Sequence, residues 1–271
     1  MGRIGIFDSG YGGLTILRSI REKLPEYDYL YLGDNARAPY GTRSFDVVYE
    51  FTLQAVKALF DRGCELVILA CNTASAKALR TIQQRDLPRL APDKRVLGII
   101  IPTVESLGST STGGNIGVLA TEGTVSSGTY DIEIAKFFPT FRTVSVACPM
   151  WVPLVENSEY DAPGADYFVA KYIEELFSQE PETDTIILGC THYPLLLPKI
   201  ERQVAGRARI VTQGELVASS LVDYLKRHPE IESRCDKGGS VEYLTTENVD
   251  KFAALAGVFM NQPLRAGRIE L

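Results

Sequence analysis

The chain lacks the features of a membrane protein, a secreted protein or a nucleic-acid-binding protein. No apolar run approaches the roughly 20 residues that a membrane-spanning helix needs. Its 28 lysines and arginines are outnumbered by 34 aspartates and glutamates, and the net charge of −6 disfavours nucleic acid or an anionic membrane as a partner. Five cysteines in 271 residues, without a secretory signal at the N-terminus, predict reduced thiols and a cytoplasmic location.

Sequence signals for a cofactor or a metal are also missing. The segment Gly10-Tyr11-Gly12-Gly13 lacks the third glycine of the dinucleotide-binding fingerprint, so a small carboxylate held by its N–H groups is favoured over a nucleotide. No lysine falls at a predicted strand end, where a pyridoxal Schiff base would form. No Cys-x-x-Cys pair supports a zinc site. We therefore expect neither cofactor nor metal.

The most informative segment surrounds Cys71. Residues 66–70 form an apolar run, which is typical of a strand buried on both faces of a parallel sheet. Asn72 and Thr73 are good N-cap residues for a helix over residues 74–79. Cys71 is thus predicted at the carboxyl end of a strand, where open α/β sheets bind ligands. The amino end of the helix is expected to lower the pKa of its thiol.

The same pattern occurs a second time along the chain. Residues 184–188 are predicted as another buried strand, apolar over residues 186–188, which leads through a glycine to Cys190. A further apolar strand precedes each thiol at a similar distance, over residues 4–7 and residues 116–119. These offsets predict two related halves, each of which presents one thiol to the cleft between them.

Strands and helices alternate throughout the sequence, which predicts an α/β fold. We expect two related parallel-sheet α/β domains with the active site in the cleft between them. The first domain is expected over residues 1–101, with residues 212–271 returning to it, and the second over residues 102–211. A strand is predicted over residues 96–101 and is expected to end at Pro102.

The remaining chemistry-bearing residues allow more than one interpretation. Two prolines predict an irregular segment over residues 148–156, with Glu156 at its end. This glutamate is either an acid or base with a raised pKa or a plain surface carboxylate. Cys148 and Cys64 are interpreted as structural, and Cys235 as an incidental residue of a polar loop.

Five motifs follow one another along nearly the whole chain. They are Asp8-Ser9-Gly10-x-Gly12-Gly13, Asp34-Asn35-Ala36-Arg37-x-Pro39-Tyr40-Gly41, Ala70-Cys71-Asn72-Thr73-Ala74, the segment from Cys148-Pro149 to Glu156, and Gly189-Cys190-Thr191-His192-Tyr193-Pro194. Together they closely resemble the glutamate racemase family, of the aspartate/glutamate racemase superfamily. One departure is the pair Gln213-Gly214, where similar proteins often carry Asp-Ser after a late strand.

The resemblance implies a cofactor-independent racemase that converts L-glutamate to D-glutamate for peptidoglycan. The family's two catalytic cysteines fall on Cys71 and Cys190, and its assisting residues fall on Asp8, Glu156 and His192. By the same resemblance, Cys71 acts on D-glutamate and Cys190 on L-glutamate. Substrate contacts are implied for Asp8, Ser9, Pro39, Tyr40, Gly41, Asn72, Thr73, Thr121, Thr191 and His192.

The residues themselves point to the same chemistry. Inverting a stereocentre by proton transfer needs a base on one face of the α-carbon and an acid on the other, which two thiols can supply. The alternatives are a racemase of a related acidic amino acid such as aspartate, a zinc site at Cys71, Cys190 and His192, a Cys–His hydrolase or transferase, and a non-enzymatic binding protein for a small acidic ligand. The expected partner is the small-molecule substrate glutamate. The sequence leaves open whether the protein forms a homodimer. Few residues precede the first strand, so we expect activity without a cell-wall precursor as activator.

Overall fold

The computed structural model describes residues 2–271, so Met1 of the expected first domain lies outside the described residues. Within that range, ten strands form two sheets, and every strand pairing is parallel. The strands are β1 (Arg3–Asp8), β2 (Tyr29–Gly33), β3 (Cys64–Leu69), β4 (Arg95–Gly98), β5 (Asn115–Ala120), β6 (Arg142–Ala147), β7 (Thr185–Gly189), β8 (Arg209–Val211), β9 (Val241–Thr245) and β10 (Gly267–Arg268).

The strand order shows that the two halves are related. One sheet has six strands in the order β10-β9-β2-β1-β3-β4, and the other has four in the order β6-β5-β7-β8. The order β2-β1-β3-β4 in the first sheet therefore recurs as β6-β5-β7-β8 in the second. Strands β3 and β7 hold equivalent places, and Cys71 and Cys190 lie just beyond their carboxyl ends. The prediction of two related parallel-sheet α/β domains is confirmed.

Helices cover the faces of both sheets, so the central strands β2 and β7 are buried along their whole length. None of the helices within residues 2–271 combines the length and the apolar character that crossing a membrane would need. The helices are α1 (Gly13–Lys23), α2 (Phe45–Asp61), α3 (Asn72–Lys77), α4 (Leu79–Thr81), α5 (Leu87–Leu90), α6 (Ile100–Glu105), α7 (Leu107–Thr110), α8 (Glu122–Ser126), α9 (Thr129–Phe137), α10 (Trp151–Glu156), α11 (Pro163–Gln179), α12 (Leu197–Val204), α13 (Gly214–Arg227), α14 (Pro229–Glu232) and α15 (Val249–Met260).

Two predictions that rested on proline are wrong. The strand expected over residues 96–101 ends at Gly98, and Pro102 lies inside α6. The segment expected to be irregular contains α10, which includes Pro153. In both cases the proline is the third residue of the helix. An N–H group there has no partner within the helix, and the carbonyl that the ring would strike lies outside it, so proline is tolerated.

Candidate active site

A narrow cavity of about 80 Å³ lies at the carboxyl ends of the strands, between the two sheets. The residues at its wall follow strands of both sheets, namely β1, β2, β3, β5, β6 and β7, as expected for a ligand site in open α/β sheets. Every residue that the sequence assigned to the site lines it, namely Asp8, Ser9, Pro39, Tyr40, Gly41, Cys71, Asn72, Thr73, Thr121, Glu156, Cys190, Thr191 and His192.

Cys71 caps the helix that follows it. Its Sγ accepts a hydrogen bond from the Ala74 N–H at 3.4 Å, and helix α3 begins at Asn72. The prediction that Asn72 or Thr73 would be the N-cap is therefore wrong, because the sulfur itself fills that role. The hydroxyl of Ser9 lies 3.3 Å from the same sulfur atom. Cys71 is thus held between the ends of β1 and β3.

Burial decides the protonation state of Cys71. It raises the pKa of this thiol to about 12, and the nearby carboxylate of Asp8 acts in the same direction. The hydrogen bonds with Ser9 and with the Ala74 N–H lower the pKa, but their effect is smaller than that of burial. The expectation of a lowered pKa for this thiol is therefore wrong. Cys71 is a neutral thiol in the ligand-free protein.

Asp8 is buried beside this thiol, at the end of β1. Its Oδ2 accepts a hydrogen bond from the Gly10 N–H at 2.9 Å. Its Oδ1 is also buried and has no hydrogen-bond partner within residues 2–271. Burial raises the pKa of Asp8, whereas His192 and the N–H groups of Gly10 and Gly13 lower it. The free oxygen can accept a hydrogen bond from a cationic group in the cavity.

Cys190 has a different set of neighbours. Its Sγ lies 3.8 Å from Nδ1 of His192, and Nε2 of His192 lies 3.1 Å from Oε1 of Glu156. Burial lowers the pKa of His192, but its hydrogen bonds and charge interactions with Cys190 and Glu156 together raise it well above the usual value. These interactions favour the protonated form of His192. Glu156, whose role the sequence left open, contacts this imidazole.

Polar groups from both halves meet on the far side of the cavity. The hydroxyl of Thr73, at the start of α3, lies 3.0 Å from that of Thr121 and 3.3 Å from that of Thr124, at the start of α8. The Gly123 N–H donates to the Gly41 carbonyl at 2.7 Å, which joins the loop after β2 to the second sheet's domain. These contacts bring hydroxyl groups from both domains to one wall.

Comparison with known proteins identifies the family. The sequence model described as "Asp/Glu/Hydantoin racemase" matches residues 13–243. The chain belongs to this racemase family. A glutamate racemase of Ruegeria pomeroyi is 42% identical over 258 residues, which are 90% of this chain and 91% of that protein.

Solved structures agree with this assignment. A glutamate racemase from Bacillus anthracis superposes with a TM-score of 0.90 at 30% identity and covers 100% of this chain and 98% of its own. One from Francisella tularensis, crystallised in complex with D-glutamate, has a TM-score of 0.87 at 27% identity over 99% and 97% of the two chains. The resemblance to glutamate racemases is confirmed, and this racemase-family chain is an isomerase.

Some wall residues of this racemase-family site were not predicted from the sequence. Cys148 and Pro149 directly follow the end of β6. The thiol of Cys148 is fully buried, and its S–H donates to the Val146 carbonyl at 3.7 Å. Its place after a strand end was the signal that it would reach the site. The additional wall residues are Thr42, Glu122, Cys148, Pro149, Val152 and Pro153.

The side chains that could act as metal ligands do not cluster within residues 2–271. No group of three or more His, Cys, Asp or Glu side chains is arranged there so that it could hold a metal ion. Cys71, Cys190 and His192, which the zinc alternative requires, line the cavity without forming such a group.

Proposed function

We propose that the protein interconverts L-glutamate and D-glutamate by a two-thiol mechanism without a cofactor. The observation that carries this proposal is the placement of Cys71 and Cys190 after equivalent strands of two related sheets, on the wall of one cavity. One sulfur removes the α-proton as a thiolate, and the other delivers a proton to the opposite face of the α-carbon. The similarity to glutamate racemases along the whole chain supports glutamate as the substrate.

On one face, Cys71 acts with Asp8 and Ser9. Cys71 is a neutral thiol in the ligand-free protein, so it begins a turnover as the proton donor. The free Oδ1 of Asp8 accepts from the ammonium group of the substrate. The positive charge of this ammonium group favours the thiolate form that Cys71 must adopt in the reverse direction.

On the other face, Cys190 acts with His192 and Glu156. The imidazolium of His192 holds a proton beside Sγ of Cys190, and Glu156 stabilises that charge. The α-proton of an amino acid is far less acidic than a thiol, so the site must also stabilise negative charge that develops on the substrate. Hydrogen-bond donors in a cavity that excludes water do this most effectively.

The substrate carboxylates are held by hydroxyl and amide donors on the cavity wall. Gly41 and its neighbours Pro39 and Tyr40 close the cavity over the ligand, since the loop that carries them is bonded to Gly123. The donors proposed for the two carboxylates are Ser9, Asn72, Thr73, Thr121 and Thr191.

We also propose a cytoplasmic location, where D-glutamate would be supplied for peptidoglycan. The proposed domains are residues 1–101 with 212–271, and residues 102–211. Sheet membership supports this division, because β1–β4, β9 and β10 lie in one sheet and β5–β8 in the other. Sedimentation of the purified protein would test for the homodimer that the sequence leaves open.

The test is the partial reaction of single serine variants. Cys71→Ser and Cys190→Ser should each lower racemisation of glutamate by about 10² to 10⁴-fold, because a serine hydroxyl is a much weaker acid than a thiol. In heavy water, one variant should still exchange the α-proton of one enantiomer only, and the other variant that of the opposite enantiomer. By similarity to the family, Cys71 serves D-glutamate and Cys190 serves L-glutamate.

Controls separate this mechanism from the alternatives. Cys235→Ser changes a buried thiol outside the cavity and should keep wild-type activity. Activity should persist in a chelator and without pyridoxal phosphate, and aspartate should be a poor substrate. The same enantiomer preference in both serine variants would place both thiols on one face and refute the two-thiol mechanism. Binding of glutamate without α-proton exchange in the wild-type protein would favour a non-enzymatic binding protein.

A further inference from the structure

Gln213 forms a buried hydrogen-bond network next to the proposed substrate site. It lies between β8 and α13, where the sequence departs from the family resemblance, and only 3% of it is exposed. Its amide pairs reciprocally with that of Asn72: Nδ2 of Asn72 donates to Oε1 at 2.6 Å, and Nε2 of Gln213 donates to Oδ1 at 3.2 Å. The same Nε2 also lies 2.9 Å from Oγ1 of Thr103 and 3.0 Å from the hydroxyl of Tyr130.

This network determines the orientation of the Asn72 side-chain amide, that is, the positions of its oxygen and its nitrogen. Oδ1 of Asn72 accepts from Tyr130 at 2.8 Å and from Gln213, so the oxygen is directed to the network. One Nδ2 hydrogen is used by Gln213. A primary amide has two such hydrogens, so a second N–H donor of Asn72 is left for a ligand in the cavity that this residue lines.

The network also joins the two chain crossings between the sheets. Thr103 belongs to α6, on the crossing from the first sheet to the second, and Gln213 lies on the crossing back. Tyr130 belongs to α9, beside the second sheet, and Asn72 begins α3, beside the first. All four side chains are buried, so a lost partner is not readily replaced by water. Asn72 is therefore oriented from segments remote from it in sequence.

We infer that Gln213 is a positioning residue, which holds Asn72 as a hydrogen-bond donor to a substrate carboxylate beside Cys71. This inference rests on the proposed racemisation of glutamate. Without the amide of Gln213, the side chain of Asn72 can turn and present its oxygen to the carboxylate, which would repel it. The substrate would then bind less tightly and in a poorer position for proton transfer.

A double-mutant cycle tests this role. Gln213→Leu, which keeps a similar volume but removes the amide, should lower kcat/KM about 10- to 100-fold, with both a raised KM and a lowered kcat. In an Asn72→Ala background, the same change should lower kcat/KM by less than about threefold, because Gln213 acts through Asn72. Gln213→Ser provides a second route through the cycle if the leucine variant does not fold.

A matched control separates positioning from loss of stability. Thr52→Val removes a buried side-chain hydrogen bond to the Val48 carbonyl, in α2 and outside the cavity. It should lower the melting temperature while leaving kcat/KM within about twofold of the wild-type value. Equal losses from Gln213→Leu or Gln213→Ser in both backgrounds would overturn the positioning role, even if the wild-type protein racemises glutamate. If the wild-type protein does not exchange the α-proton of glutamate, the proposed function itself fails.

Discussion

Glu156→Gln is expected to slow the half of the reaction that Cys190 performs. Glu156 lies 3.1 Å from His192, and the two side chains are 22% and 5% exposed. A hydrogen bond between charged groups contributes about 1.5–3 kcal/mol, and the partial exposure of Glu156 reduces this contribution to about 1–2 kcal/mol. Since about 1.4 kcal/mol corresponds to a factor of ten in rate, loss of this interaction in the transition state should lower kcat roughly 5- to 30-fold.

The same substitution should change the pH dependence. Hydrogen bonding to Cys190 and Glu156 raises the pKa of His192 against the opposing effect of burial, so removing the carboxylate should lower this pKa. The protonated imidazole is then lost at a lower pH, and the alkaline limb of the kcat/KM profile should move towards neutral pH. The stability that the pair contributes is fully present below about pH 6.5, the unfolded pKa of histidine, and is lost as the pH rises through the raised folded pKa. The melting temperatures of wild type and variant should therefore differ most at acidic pH.

Circular dichroism with each enantiomer as substrate gives kcat/KM as a function of pH and so reports the alkaline limb. Deuterium exchange then shows which half-reaction has slowed, and we expect it to be that of the enantiomer served by Cys190. Glu159→Gln is the matched control, because Glu159 is an exposed glutamate three residues further along the chain. An unchanged alkaline limb, or equal slowing of both exchange reactions, would refute the coupling of Glu156 to Cys190 through His192.

Two further predictions concern access to the thiols and the packing of one glycine. Alkylation should label Cys71 and Cys190 first, since both line the cavity, and glutamate should protect them. Peptide mass mapping would detect the labelled residues. Earlier labelling of Cys64 or Cys235 with loss of activity would move the site elsewhere. Gly12→Ala should abolish most activity, because the added methyl would lie 2.3 Å from Oγ1 of Thr191 and 2.6 Å from Nδ1 of His192. Gly164→Ala meets nothing within 4 Å and should keep wild-type kcat/KM in the same assay; equal activity of the two variants would contradict the steric argument.

The parallel α/β architecture and the position of both thiols could be predicted from the sequence. A parallel strand buried on both faces must be apolar along its length, so its end is visible as the point where polar residues begin. The apolar runs at residues 66–70 and 186–188 both show this pattern, and each leads to a cysteine. Because the carboxyl ends of parallel strands lie at one edge of a sheet, every predicted site residue lines the cavity.

Local rules failed where position within an element mattered more than residue type. Pro102 and Pro153 suggested breaks in structure, yet both lie in the first turn of a helix, where proline is tolerated. Asn72 suggested a helix cap, but the preceding sulfur of Cys71 takes that place. Residue preferences alone do not distinguish these arrangements, since the decisive factor is where the chain turns after each strand.

Only the tertiary structure decided the electrostatics of the site and the orientation of its side chains. The pKa of Cys71 depends on its burial, which outweighs the favourable helix terminus that the local sequence suggested. Gln213 is 141 residues from Asn72, 110 from Thr103 and 83 from Tyr130, so no local pattern could show that their side chains meet. Apolar periodicity records which face of an element is buried, whereas hydrogen bonds between distant polar groups exist only once the two domains have packed together.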